Sequence, residues 1–222
     1  MASKTTLNAK NLEALGATRL AELLIEISAG DANAKRRLRL ELAGAESPAE
    51  AAREIRKRLA SIAKSRSFVD WQGRRALVKD LDSQRRAIME QIAKADPAEA
   101  LELMWRFMAL ATPVFERCDD SSGTVSSVFH EACGDLGAIA GVAKLESVAL
   151  AEHVFRALND NGYGQHDNLI EALAPPLGRK GLDHLKSLMV QLSKAPLPKP
   201  PDSDRVVIGW GQRKRSHLCR RT

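Results

Sequence analysis

Ser47-Pro48-Ala49-Glu50-Ala51-Ala52-Arg53-Glu54-Ile55-Arg56-Lys57-Arg58-Leu59-Ala60-Ser61-Ile62 decides what kind of fold to expect. A serine with a glutamate three residues on is a capping box, and proline stands at the first helical position, where its missing N–H costs nothing. Behind them Ala51, Ile55, Leu59 and Ile62 recur at steps of three and four, which is one apolar stripe of a helix. Asp96-Pro97-Ala98-Glu99 repeats the device and starts a second helix through Leu101 to Ala111. Moving outward, Thr18 precedes Leu20, Leu23, Leu24 and Ile27 at helical spacing, with Gly30 as a stop. Asp31 offers an N-cap to a helix carrying Ala34, Leu38 and Leu42 and ending near Gly44.

The remaining body reads the same way. After a break at Ser65 to Asp70, helical pattern resumes through Trp71, Ala76 and Leu77, and again through Ile88 and Ile92 behind Asp82 or Ser83 as a cap. Thr112-Pro113 starts a short turn. Val125 to Lys144, Ser147 to Asn159, Asn168 to Leu173 and Gly181 to Leu192 complete the set, and no period-2 run suggests a strand between residues 8 and 194. The expected fold is all-α, an irregular array of antiparallel helix pairs (solenoid-like or bundle), because the proline-started helices give only a weak internal echo and no fixed repeat period. Pro196, Pro198, Pro200 and Pro201 mark a Pro-rich linker. The chain therefore divides into a helical array (1–194), a linker (195–204) and a basic tail (205–222) expected to be poorly ordered.

Composition agrees. Aromatics make up 4% of the 222 residues, too few for the pleated cores of sandwiches and barrels, while hydrophobic residues at 44% suffice for a helical core. The net charge of +6 belongs to the tail, where Arg205, Arg213, Lys214, Arg215, Arg220 and Arg221 stand without an acid. The body is neutral overall but polarised, positive over residues 1–94 and negative over 95–204. Three cysteines make no disulfide framework and suit a reducing compartment. The N-terminus lacks a signal-peptide core, and Glu22 and Glu26 interrupt the best apolar stretch, so no membrane association and a cytoplasmic location are expected.

No template for chemistry is complete. His130-Glu131-Ala132-Cys133 half-matches a zinc-peptidase helix, but Gly134 stands where the second histidine must be, so Cys133 reads as a buried helical thiol. Cys118 adds a third soft group at a spacing that structural zinc sites do not use. Asn159 to Asn168 resembles a calcium loop, yet a frame starting at Asn159 puts Ile170 at the glutamate position and one starting at Asp160 puts Gln165 at the glycine position. Asp119 and Asp120, with Ser121 and Ser122, read as capping chemistry for the following helix rather than an acid–base pair. No catalytic residue, metal site or cofactor is therefore expected, and the chain reads as non-catalytic.

Basic residues are the remaining enrichment. Residues 35–66 hold ten bases against four acids. Lys35, Arg36, Arg37, Arg39, Arg53, Arg56, Lys57 and Arg58 are the candidate phosphate or nucleic-acid contacts, joined by Lys64 and Arg66. Against this, Glu50 and Glu54 alternate with the bases at helical spacing, and no aromatic residues interleave them for stacking.

The run Ser67-Phe68-Val69-Asp70-Trp71, with Arg75 and Leu81 following, resembles an uncharacterised bacterial family of all-helical proteins. The similarity continues through Ala98 to Phe115, the Asp119–Gly123 and Asn159–Gly164 loops and Ala174-Pro175-Pro176-Leu177-Gly178, and covers most of residues 10–211. Some members carry an N-terminal SWIM-type zinc finger. This chain has no Cys-x-Cys with Cys-x-His pattern, so no nucleic-acid role is inherited from such a finger. The family implies no activity, and its members continue into further helices past Gly209-Trp210-Gly211, so a truncated or shifted reading frame would explain the tail's charge without a selected function. The resulting expectation is a non-catalytic helical scaffold that binds another macromolecule, most simply a protein, with nucleic-acid association through the basic helices and tail as the alternative.

Overall fold

The computed structural model describes residues 5–194 and is all-α. Helices α1 (Ala9–Glu13), α2 (Gly16–Ser28), α3 (Ala32–Glu46), α4 (Pro48–Lys64) and α5 (Trp71–Ala87) lead into a π-helical turn over Ile88–Ile92. They are followed by α6 (Pro97–Met108), the short α7 (Ala111–Phe115), α8 (Thr124–Ala143), α9 (Ser147–Asn159) and α10 (Leu169–Lys194). The Pro-rich linker and the basic tail lie outside the described residues.

Both proline-started helices begin where read, but only one of the two reciprocal bonds of each capping box forms, because the Ser47 and Asp96 N–H groups donate to the Ala43 and Ile92 carbonyls. The Ser47 hydroxyl accepts from the Glu50 N–H at 3.2 Å and the Asp96 carboxylate from that of Glu99 at 3.0 Å, each with proline in the first turn. Asp31 caps α3, and Asp70 caps α5 through the Gly73 N–H at 2.8 Å. The structure shifts other boundaries. Helix α2 begins at Gly16 with no side-chain cap, so Thr18 lies inside it. Gly44 does not stop α3, which runs two residues further. Asp82 and Ser83 do not divide the third segment, because α5 passes straight through them and Asp82 pairs with Arg85 and Arg86 on its own helix. The last two predicted helices form one element broken at Gly178, whose φ of 56° lets the chain restart after Pro175 and Pro176.

One continuous hydrophobic core runs from Leu40 to Met189. Its centre is α8, whose Val125, Phe129, Cys133 and Leu136 are fully buried between α5, α6 and α10. Phe129 meets Phe107 of α6 and Phe115 of α7, each with ring centroids 5.5 Å apart. The α3–α4 hairpin closes one side through Ile55 and Leu59, and α9 pairs with α10 on the other. Among the described residues the only ladder-like pairing is an isolated parallel bridge between Val69 and Cys118. There Val69 N–H donates to the Arg117 carbonyl at 2.7 Å, which fastens the α4–α5 connection to the α7–α8 connection.

The N-terminal helices stand apart from this core. The stripe Leu20, Leu23, Leu24 and Ile27 lies on a helix, as its spacing predicts, but contributes nothing to the core. Only Ser28 of α2 is buried, and Leu24, Ile25 and Ile27 are 49%, 71% and 73% exposed.

Candidate functional site

The basic residues of α3 and α4 divide by their partners. On α4, Arg53 pairs with Glu50, Lys57 with Glu54 at 2.6 Å, and Arg56 with Glu99 and Glu102 of α6. The hydrogen bond from Arg56 to Glu102, with the charge of Glu99 beside it, raises the guanidinium pKa against the cost of burial. These cations are spent on packing α4 to itself and to α6. On α3, Lys35, Arg37 and Arg39 are exposed and have no ion pair among the described residues, and the same holds for Lys64 and Arg66. The candidate ridge is thus partly neutralised within the fold.

Arg36 and Arg58 point elsewhere. Both reach Asp80 of α5, a carboxylate 6% exposed. Arg58 donates to its Oδ2 from Nε at 2.8 Å and also from Nη2, while Arg36 Nη2 stands 3.9 Å from the same oxygen. Asn33 accepts from Arg36 and donates to the Ala76 carbonyl at 3.3 Å, tying α3 to α5. An ion triad of this kind is retained at a cost in desolvation and holds three helices in one arrangement.

The triad lines an open cleft of about 370 Å³. Arg117, brought in by the Val69–Cys118 bridge, lines it too, and Ile62, Leu77 and Phe68 supply apolar surface. Arg117 is held by its neighbours' backbone, donating to the Ser67 carbonyl at 3.3 Å and to that of Ile62 at 3.4 Å. The Nε of Arg36 and the Nε of Arg117 are buried without a hydrogen-bond partner among the described residues. Phe68 is 70% exposed, and Trp71, three residues on, is 68% exposed.

Sequence reasoning found Arg36 and Arg58 but missed Asp80, Arg117 and Phe68. Phe68 stood in the run that carried the family resemblance, so a trace of it was present. Asp80 and Arg117 are far from the basic cluster in sequence, and nothing local points to them.

The other candidate groups resolve as structural parts. Asp120 caps α8, accepting from the N–H groups of Val125 at 2.9 Å and Ser126 at 2.8 Å and from the Ser126 hydroxyl at 2.6 Å. Asp119 accepts from the Ser121 N–H at 3.0 Å, so the adjacent carboxylates serve different backbones. Cys133 is fully buried, and burial pushes its thiol up to about 12, far from the thiolate a metal or nucleophile needs. No group of three or more His, Cys, Asp or Glu among the described residues is arranged to hold a metal ion. In the Asn159–Asn168 loop, Asn161 accepts from the His166 N–H at 2.8 Å, and Gln165 bridges the Asp160 carbonyl and the Tyr163 N–H. Phe115 stacks on Tyr163 at 5.0 Å and pins this loop to α7. No described helix is long and apolar enough to cross a membrane.

A family model described as a family of unknown function (DUF6880) matches residues 2–222, so the chain belongs to that family. The match runs through the basic tail, beyond residue 211 where the resemblance read from the sequence stopped. No curated protein and no solved structure matches the chain.

Proposed function

We propose that this DUF6880 member is a non-catalytic helical scaffold that binds another protein through its N-terminal face. The observation that carries the reading is α2. It is amphipathic, yet Leu24 is half exposed and Ile25 and Ile27 stay largely in water, and among the described residues none before Leu40 belongs to the core. Burying one such side chain is worth about 1.5–3 kcal/mol, so a helix that leaves three exposed gains most by meeting a partner. Helix α2 rests mainly on α1 and α3, so its outer side is open to that partner.

The test replaces Ile25 and Ile27 by aspartate in the full chain. Partners retained by the parent protein are identified and then titrated, purified, against both forms. The expected result is at least a tenfold loss of affinity with unchanged helicity, on the basis of two lost apolar anchors. A partner set and affinities identical for both forms overturn the reading. If the parent protein is a dimer and the variant a monomer, the partner is a second copy.

The second reading, association with nucleic acid, is favoured by Lys35, Arg37 and Arg39, whose charges face solvent unopposed. It predicts salt-sensitive binding that reversal of these three charges removes.

A further inference from the structure

The geometry points to a binding site for a small organic carboxylate in the cleft between α3, α4 and α5, a site separate from the face of α2. The cleft presents three guanidinium groups, Arg36, Arg58 and Arg117, against two carboxylates, Asp70 and Asp80. Asp70 is committed to capping α5, and Asp80 is shared by Arg36 and Arg58. One positive charge is left over, and Arg117 carries it, since among the described residues its hydrogen bonds go only to neutral carbonyls.

Two of the cleft's arginines, Arg36 and Arg117, each also have an Nε group buried without an acceptor among the described residues, a cost of about 1–3 kcal/mol that leaves these guanidinium groups short of partners. A carboxylate suits this surplus. It is planar, as the guanidinium fork requires, and its one negative charge balances the surplus, whereas a phosphate dianion would overshoot it beside Asp80. The volume of about 370 Å³ is at the lower end for small-molecule sites. Ile62, Leu77 and the rim residue Phe68 give an apolar body somewhere to lie, so the ligand is an acid with an aryl or branched alkyl group. The same carboxylate chemistry could be offered by a free acid or by the C-terminus of a peptide.

Benzoate, benzyl alcohol, phenyl phosphate, and an acetylated peptide ending in phenylalanine as free acid and as amide are titrated into the full chain by calorimetry and amide NMR. Benzoate should saturate one site with a Kd of order 1 mM or below, and benzyl alcohol should not bind. Arg117→Met should weaken benzoate at least tenfold. Arg117 also ties two connections together, so Phe68→Ala, at an exposed side chain, is the second variant and should weaken binding severalfold without loss of fold. The Ile25→Asp, Ile27→Asp variant should bind benzoate as the parent does, which separates this site from the proposed protein-binding face. A free-acid peptide that binds tighter than benzoate while its amide fails identifies a chain terminus as the source, and the reverse order identifies a free acid. No saturation by any acid of the set up to about 20 mM, equal binding by Arg117→Met and Phe68→Ala, or a tenfold preference for phenyl phosphate overturns the assignment.

Discussion

His166 shows most clearly how a single residue can be invisible in sequence and decisive in the fold. It is 5% exposed, neither ring nitrogen has a partner among the described residues, and burial pulls its pKa down to about 4 despite the nearby charges of Asp160 and Asp167. Folding thus lowers a value that is 6.5 in the open chain, so between about pH 6.5 and 4 the unfolded state holds more protons. Its contribution is complete above this window and is lost as pH falls through it, by at most about 3 kcal/mol. Urea unfolding measured from pH 7 to 4 should show this decline, and His166→Leu, which fills the space without a titrating group, should flatten it. An equally steep decline in the variant would place the effect in other groups. The loop's polar letters announced a turn but not a buried imidazole, and the Phe115 ring that stacks on Tyr163 and holds the loop comes from α7, far along the chain. Asp120 was the opposite case, legible because capping acts over five or six residues.

At the scale of elements, what was readable depended on whether the boundary was made locally. The Ser47-Pro48 and Asp96-Pro97 starts were legible because their donors and acceptors lie within three residues. The continuity of α5 was not, since Asp82 looks like a cap in isolation and becomes an ion-pair partner only on the finished helix. Helix crossings are equally hidden. On α8 a β-carbon at Gly137 would lie 2.2 Å from the Ala172 carbonyl oxygen of α10, whereas at Gly134 and Gly141 it would meet nothing within 4 Å. The same substitution must therefore change sign along one helix. Gly137→Ala forces two backbones apart and should cost about 3 kcal/mol. Gly134→Ala and Gly141→Ala should each add up to about 1 kcal/mol through helix propensity alone. Shifts of the urea midpoint in opposite directions check this, and a loss of stability at all three positions would contradict the assigned crossing.

Across the whole molecule, the fold class and the neutrality of the body were legible from counts and periodicity, while the cleft was not. Arg36 and Arg58 belong to it, but its charge surplus rests on Arg117, carried into place by a bridge between connections fifty residues apart. The same accounting settles what the basic tail should do. Within the body Arg53, Arg56 and Lys57 of α4 are opposed by Glu50, Glu54, Glu99 and Glu102 and Arg58 by Asp80, leaving Lys35, Arg37 and Arg39 of α3 with Lys64 and Arg66 as a small exposed group. Arg205, Arg213, Lys214, Arg215, Arg220 and Arg221, by contrast, have no acid among residues 205–222. Attraction to phosphates grows with the number of counterions released, so any nucleic-acid affinity should reside in those six. Replacing them by glutamine in the full chain should abolish retention on duplex DNA at low salt, whereas Lys35→Glu, Arg37→Glu and Arg39→Glu together should change it little. Log affinity of the parent should fall linearly with log salt, with a slope set by the tail charges. Binding that survives the tail substitutions and disappears on reversing the three α3 residues would move the function from protein scaffold to nucleic-acid association.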